Sequence, residues 1–384
     1  MKRVIVFIGT RPEAIKMAPV VHALQSAATF DPIVVSTGQH REMLQQVIDL
    51  FAIPVHHELS VMQANQTLAA LTSRLISAID ERLQVLTPDF ALVQGDTTTV
   101  LAAALACFYR HVPLGHVEAG LRTHDLQAPF PEEANRVLAS RLARLHFAPT
   151  ELSRQNLIRE GVADADITVT GNTVIDALKM EVQRQKRPEV RAEIDAELVQ
   201  LLGHDFRGPF VLVTGHRREN FGRGFQNICD ALAQLARRYP GYRFVYPVHL
   251  NPNVQTPVRQ RLGSLPNVHL IEPLPYSTFV SLMNSSRLLL TDSGGVQEEA
   301  PSLGKPVLVM RETTERPEGV EAGTVRLVGA DAARIVDQVA LLLDDQAEYD
   351  RMATAINPYG DGHAAGRVVD ALRRWFASQA PVVA

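Results

Sequence analysis

Short apolar runs alternate with longer amphipathic stretches along the whole chain, and that alternation predicts an α/β protein. In the first half VIVFI (4–8), IVVST (33–37), FALVQ (90–94), LGHVE (114–118), LHFAP (145–149) and ITVT (167–170) read as strands. Helical patterns lie between them, at about 13–27, 40–50, 66–86, 97–110, 132–144, 150–160 and 172–184. The runs lack the period-two alternation of half-exposed strands. They therefore predict parallel sheet buried on both faces, joined by helical crossovers. A charged stretch, QRQKRPEVRAEIDAE (183–197), reads as a helix running into a linker. A second alternation follows, with strands FVLVT (210–214), RFVYPVH (243–249), VHLI (268–271), RLLLT (287–291), PVLVM (306–310) and TVRLVG (324–329). Its helices fall at about 223–238, 253–262, 276–285, 295–303 and 331–343, and the tail at about 345–378 reads as helical with a break at 357–362.

The expected architecture is two Rossmann-like α/β domains, 1–184 and 205–362, with a linker near 185–205. The length of 384 residues agrees, because a single core rarely grows past roughly 250–300 residues. Two such domains facing one another would form a cleft, a common ligand site. Composition adds that 46% of residues are hydrophobic and 21% charged, which argues against disorder. With 38 Lys and Arg against 42 Asp and Glu, the net charge of −4 gives no support for a nucleic-acid surface. Basic groups that bind an anionic ligand must then be clustered locally. Cys107 and Cys229 sit in apolar helical patterns and read as buried free thiols of a reducing compartment. The apolar run at 4–8 is too short for a signal peptide, and no stretch reaches the ~18 apolar residues of a membrane span. The expectation is a cytoplasmic protein without a membrane partner.

In doubly wound sheets ligands bind beyond the carboxyl ends of the strands. No GxGxxG follows a strand, and HExxH and paired CxxC are absent. Neither a dinucleotide cofactor nor a metal is signalled. What remains is a set of polar strand-end loops. After the first strand comes Gly9-Thr10-Arg11-Pro12-Glu13-Ala14-Ile15-Lys16. Pro12 suits a first helical turn whose free N–H groups favour an anion, and Arg11 and Lys16 add positive charge; an ordinary βα turn fits the same pattern. Asp96, in Gly95-Asp96-Thr97-Thr98-Thr99, is a candidate acid/base group or a plain N-cap. Glu118, in HVEAGLRT, ends a buried run, where a carboxylate is costly unless paired or functional. Glu132 and Glu133, in PFPEEANR, either serve chemistry or favour the helix dipole. Three carboxylates converging on one strand-end face would suit proton transfer.

The second half differs in kind. His216, Arg217 and Arg218 form a cationic cluster after FVLVT, and His249 ends the next run. Ser293-Gly294-Gly295 at a helix start lets backbone N–H groups approach a phosphate. Glu299, one turn on, is placed to accept from a ribose diol. Arg316 lies in a polar loop after PVLVM, and Phe279 is either a base-stacking or a core aromatic. Carboxylates thus dominate the first set of strand ends, and Arg, His and Ser-Gly-Gly the second. That division points to a nucleotide diphosphate held by the second domain, with a reacting sugar facing the first.

The segments GTRPEAIKMAP, TGQHREML, GDTTT, HVEAGLRT, PFPEEANR, GNTVIDA, VTGHRREN, YPVHLNPNV, TDSGGVQEEAPSLGKPVLVMR, TTERPE and NPYGDG span nearly the whole chain. In that order they closely resemble the bacterial non-hydrolysing UDP-N-acetylglucosamine 2-epimerases. The resemblance implies a GT-B-like fold, a C-terminal helix (363–384) crossing back to the first domain, and a homodimer. It implies reversible conversion of UDP-N-acetylglucosamine to UDP-N-acetylmannosamine through UDP and a 2-acetamidoglucal, for bacterial surface polysaccharides, with no cofactor. By carry-over Asp96, Glu118, Glu132 and His216 are catalytic. Arg11, Lys16, Leu274, Phe279, Ser293, Gly294, Gly295, Glu299 and Arg316 contact substrate, Leu274 and Phe279 flanking the uracil. Gln39, Gln66, Arg217 and His249 match positions of an activating second site. The main alternative is a GT-B glycosyltransferase using a UDP-sugar, because one fold hosts many activities.

Overall fold

A computed structural model describes residues 1–38, 41–63, 66–203 and 208–379, the side chains of Arg41 and Glu42 excepted. It divides into two units, Met1–Ala177 with Tyr359–Ala384, and Leu178–Pro358.

The strands of the first unit are β1 (Lys2–Ile8), β2 (Phe30–Ser36), β3 (Val55–Glu58), β4 (Phe90–Gln94), β5 (Leu114–Val117), β6 (Leu145–Ala148) and β7 (Ile167–Val169). They form one sheet in the order β3-β2-β1-β4-β5-β6-β7, with parallel pairing throughout. Helices α1 (Arg11–Ser26), α2 (Arg41–Leu50), α3 (Leu68–Leu86), α4 (Thr98–Tyr109), α5 (Glu132–Leu142), α6 (Glu151–Arg159) and α7 (Thr173–Arg184) connect and follow them. The central strands β1 and β4 are the apolar runs, and every residue of FALVQ is buried. Such strands need helices on both faces, which the crossovers supply.

The second unit repeats the plan. Its strands β8 (Phe210–Thr214), β9 (Arg243–Pro247), β10 (Val268–Ile271), β11 (Leu288–Thr291), β12 (Val307–Val309) and β13 (Val325–Leu327) are ordered β10-β9-β8-β11-β12-β13. Its helices are α8 (Pro188–Leu202), α9 (Arg223–Arg238), α10 (Pro252–Leu262), α11 (Tyr276–Ser285), α12 (Gly294–Glu299), α13 (Pro317–Glu321), α14 (Ala332–Asp344) and α15 (Gln346–Ala353). Helix α9 presents Phe225, Ile228, Leu232 and Leu235 at helical spacing to a core that contains Phe244 and Tyr246 of β9. The last helix, α16 (Ala364–Gln379), belongs to the first unit and packs on α1. There Trp375 and Phe376 meet Phe90 edge-on at 5.1 and 5.9 Å.

Two local readings differ from expectation. Strand β3, VHHE, pairs with β2 as the edge of the sheet; its polar residues and preceding Pro54 hide it from an apolar-run reading. The stretch expected to run into a linker is helix α8, which buries only Val190, Ile194 and Leu202 and carries charge at Glu189, Arg191, Glu193, Asp195 and Glu197. Cys107 and Cys229 are buried free thiols, as expected. Among the described residues no helix is long and apolar enough to cross a membrane.

In each sheet the chain order reverses at one point, between β1 and β4 and between β8 and β11. Crevices beyond the carboxyl ends of strands at such switch points are the usual ligand positions.

Candidate active site

At the first switch point the turn after β1 is held from within. Thr10 caps α1 in a reciprocal capping box with Glu13, and Pro12 occupies the first turn. The buried Glu13 carboxylate accepts from the backbone N–H of Gly9 at 2.8 Å and of Thr10 at 2.6 Å, and from the Thr97 hydroxyl at 2.6 Å. Burial is the largest influence on it and raises its pKa. A Cβ on Gly9 would lie 2.4 Å from the Thr37 hydroxyl and 2.6 Å from that of Thr99, so the close approach of these loops needs glycine. Glu13 therefore builds the turn that presents Arg11 and Lys16.

Lys16 reaches the strand-end carboxylate. Its Nζ donates to Glu118 Oε1 at 2.5 Å. Glu118 stands one residue past β5 with φ +63, a left-handed conformation that a non-glycine residue adopts at a cost of order 1–3 kcal/mol. Asn172 donates to the same oxygen at 3.0 Å, and the Gln94 amide donates to Oε2. The Glu118 side chain is 9% exposed.

Asp96 follows β4 in the adjacent turn. Its carboxylate lies 3.7 Å from Arg136 Nε, and its carbonyl accepts from Asn135 at 2.9 Å. Burial, with the charges of Glu118 and Glu132 added, lifts its pKa to about 6 against the pull of Arg136 and Lys16. Glu132 is half-buried at the start of α5. Its neighbour Glu133 is structural: it accepts from the backbone N–H of Thr123 and His124 at 3.0 Å and lies 2.9 Å from Arg136. His116, buried on β5, bonds the Gly95 carbonyl at 2.7 Å, and burial lowers its pKa to about 4, leaving it neutral. One carboxylate fixed as an acceptor beside one that exchanges protons near neutrality is equipment for acid/base chemistry.

The second switch point is organised around Asp292, which is fully buried. Its Oδ2 accepts from the backbone N–H of His216 at 2.9 Å and of Arg217 at 2.8 Å. Its Oδ1 lies 3.3 Å from His216 Nδ1. Burial lowers the His216 pKa, and Asp292 works against it. The His216 ring stacks on His249, 5.7 Å between centroids. Ser293 donates its N–H to Thr291 Oγ1 at 3.0 Å. Gly294 opens α12 against Arg316, where a Cβ would lie 2.6 Å from Nη1. Arg316 is itself held by Glu298 at 2.5 Å. Burial acts to raise the neighbouring Glu315, but hydrogen bonds and charge from Arg311, with the charge of Arg316, outweigh it and hold the carboxyl at about 2. Glu299 accepts from the Tyr276 hydroxyl at 2.7 Å. Leu274 is buried just before α11, and Phe279 is half-buried on that helix.

Residues 22–373 match the sequence profile of a family described as UDP-N-acetylglucosamine 2-epimerase. The chain belongs to the UDP-N-acetylglucosamine 2-epimerase family. It is 56% identical over 375 residues to the UDP-N-acetylglucosamine 2-epimerase of Escherichia coli strain K12, covering 97% of this chain and 98% of that protein. The crystal structure of the Neisseria meningitidis UDP-GlcNAc 2-epimerase bound to UDP-GlcNAc matches with a TM-score of 0.89 at 49% identity, covering 97% of this chain and 100% of that one. The Methanocaldococcus jannaschii UDP-GlcNAc 2-epimerase in complex with UDP-GlcNAc and UDP matches with a TM-score of 0.80 at 33% identity, over 97% and 100%. The family is one of isomerases, and two parallel sheets of the GT-B-like fold class are what this member has.

Within this epimerase-family chain the structure pairs Lys16 with Glu118, and Asp96 feels the charges of both and of Glu132. It joins His216 and His249 through their rings and Arg316 with Gly294 by contact. Arg11 is half-buried at the start of α1. Gln66 lies in the first unit, accepting from Arg74 and from the Gln63 N–H at 3.2 Å. Arg217 and His249 lie in the second, and Gln39 falls outside the described residues. Among the described residues no group of His, Cys, Asp and Glu is arranged to hold a metal ion. Sequence reasoning did not assign Gln94, Asn172 and Asp292. Of these only Asp292 carried a signal, as a buried carboxylate ending a strand.

Proposed function

We propose that this chain interconverts UDP-N-acetylglucosamine and UDP-N-acetylmannosamine by eliminating UDP and adding it back. The C2 proton of the sugar has no neighbouring carbonyl to acidify it. Departure of UDP takes the C1–O electron pair with it and builds positive charge at C1, which makes C2–H labile. The proton passes to a carboxylate, a C1–C2 double bond forms, and 2-acetamidoglucal is left with UDP. In return a proton reaches the opposite face of C2, and a UDP oxygen bonds C1.

The Asp96–Glu118 arrangement supports this reading most. Inversion at C2 needs proton transfer on two faces, and the first unit supplies carboxylates in unlike environments. In this reading Asp96, Glu118 and Glu132 serve C2. His216, Arg11 and the Ser293–Gly295 backbone stabilise the departing diphosphate. Lys16 and Arg316 contact substrate, Glu299 holds the ribose, and Leu274 and Phe279 flank the uracil. The relatives' names and bound nucleotides support the same substrate. A homodimer in the bacterial cytoplasm, supplying a surface polysaccharide and activated by a second UDP-N-acetylglucosamine, completes the proposal.

Incubation of the purified protein with UDP-N-acetylglucosamine and no acceptor, followed by proton NMR, tests it. Appearance of UDP-N-acetylmannosamine supports an epimerase. No new nucleotide sugar until an acceptor is added would show a glycosyltransferase instead.

A further inference from the structure

Glu118 is held by more than its lysine. Gln94, the last residue of β4, donates to one carboxylate oxygen, and Asn172, just before α7, donates to the other at 3.0 Å. Gln94 and Asn172 are 3% and 2% exposed, so their amides are committed inside the protein. Asn172 is fixed in turn. Its side-chain oxygen accepts from the Val174 N–H at 3.1 Å, and its own N–H donates to the Tyr359 carbonyl at 2.7 Å. The next residue, Gly360, presses its backbone on Gly171; a Cβ on either would sit 3.3 Å from the other's Cα. Both have positive φ, +87 at Gly171 and +128 at Gly360.

The geometry points to Gln94 and Asn172 as positioning residues for Glu118, with the Tyr359–Gly360 turn of the returning C-terminal segment setting Asn172. This rests on Glu118 acting in the proposed reaction. Two neutral donors have two consequences. They stabilise the ionised carboxylate without cancelling its charge as a further cation would. They also pin a side chain whose backbone is left-handed, so the carboxylate has little freedom to move away from its working position. Among the described residues, Lys16 from α1, Asp96 from the turn after β4 and neutral His116 on β5 also act on Glu118. The turn 357–362, otherwise an ordinary helix break, thereby acquires a role in the chemistry.

Gln94→Met removes one donor at nearly constant volume. Asn172→Asp keeps the acceptor for Val174 but replaces the donor with a second carboxylate. Gly360→Ala disturbs the turn without altering either group. Each is assayed for kcat, KM, the pH dependence of kcat and thermal midpoint, with Glu118→Gln alongside. The expected result is a kcat loss of roughly 100-fold for Asn172→Asp with KM little changed. The acid limb of its profile should move up by about one pH unit, and Gln94→Met and Gly360→Ala should show smaller shifts in the same direction. Variants with a lowered midpoint but an unmoved pH profile would mark a structural role only and overturn the inference. An inactive Glu118→Gln beside fully active Gln94→Met and Asn172→Asp would also overturn it while leaving Glu118 catalytic. A fully active Glu118→Gln would overturn the reading of Glu118 itself, and this inference with it.

Discussion

The Lys16 ammonium lies 2.5 Å from Oε1 of Glu118, although the two are 102 positions apart in the chain. One belongs to the second turn of α1, the other to the residue after β5. Parallel β1, β4 and β5 bring their carboxyl ends to one side of the sheet, so the pair follows from topology. Lys16→Met removes the cation but keeps most of the packing. Glu118 should then hold a proton more tightly, the acid limb of the kcat profile should move up, and kcat should fall roughly 100-fold. A pH profile with unchanged limbs would show that the pair is not coupled to turnover.

Asp96 ties its proposed role in proton transfer to stability. Its pKa of about 6 stands above the ordinary 3.8, so the folded chain binds this proton more tightly than the unfolded chain. That advantage is fully present below the unfolded pKa and is lost as pH rises through about 6. Asp96→Asn should therefore gain about 1–2 kcal/mol at neutral to alkaline pH, after discounting for the partly open carboxylate. The gain should vanish in acid while activity is lost. Denaturant melts at both pH values, run beside the rate assay, check both halves.

Much of the fold was legible because buried parallel strands are long apolar runs, and β1, β4 and β8 read directly. The edge strand β3 was not, since VHHE satisfies its backbone in the ladder without an apolar signature. Helix α8 reads from the sequence as running into a linker, because its buried stripe is only three residues in a charged stretch. In the site, Glu118 drew attention because a carboxylate ending a buried strand needs an explanation. Gln94 and Asn172 drew none, since an amide carries no charge, and its partner 24 or 54 positions away is visible only in the folded chain. Glu13 sits in the same strand-end loop as Arg11 and Lys16, and its carboxylate is spent on holding the turn.

His216 offers a test with a defined sign. Burial lowers its pKa and Asp292 opposes that shift. Asp292→Asn should thus lower the His216 pKa further, seen as a downward move in the NMR titration of its ring proton. An unchanged or raised value would separate the two residues electrostatically.

Gly294 leaves room for the Arg316 guanidinium, whose Nη1 and Cζ would be 2.6 and 2.8 Å from an added Cβ. Gly294→Ala should displace that side chain from Glu298 and weaken UDP binding about tenfold. Calorimetry on UDP alone measures it, and unaltered affinity would remove Arg316 from the nucleotide site.

The elimination mechanism itself is tested most directly by running the reaction in D2O and reading C2 by NMR. The account predicts UDP-N-acetylmannosamine carrying deuterium at C2, with deuterium entering recovered UDP-N-acetylglucosamine as the reaction reverses. UDP-N-acetylmannosamine that keeps the original protium at C2 would contradict it.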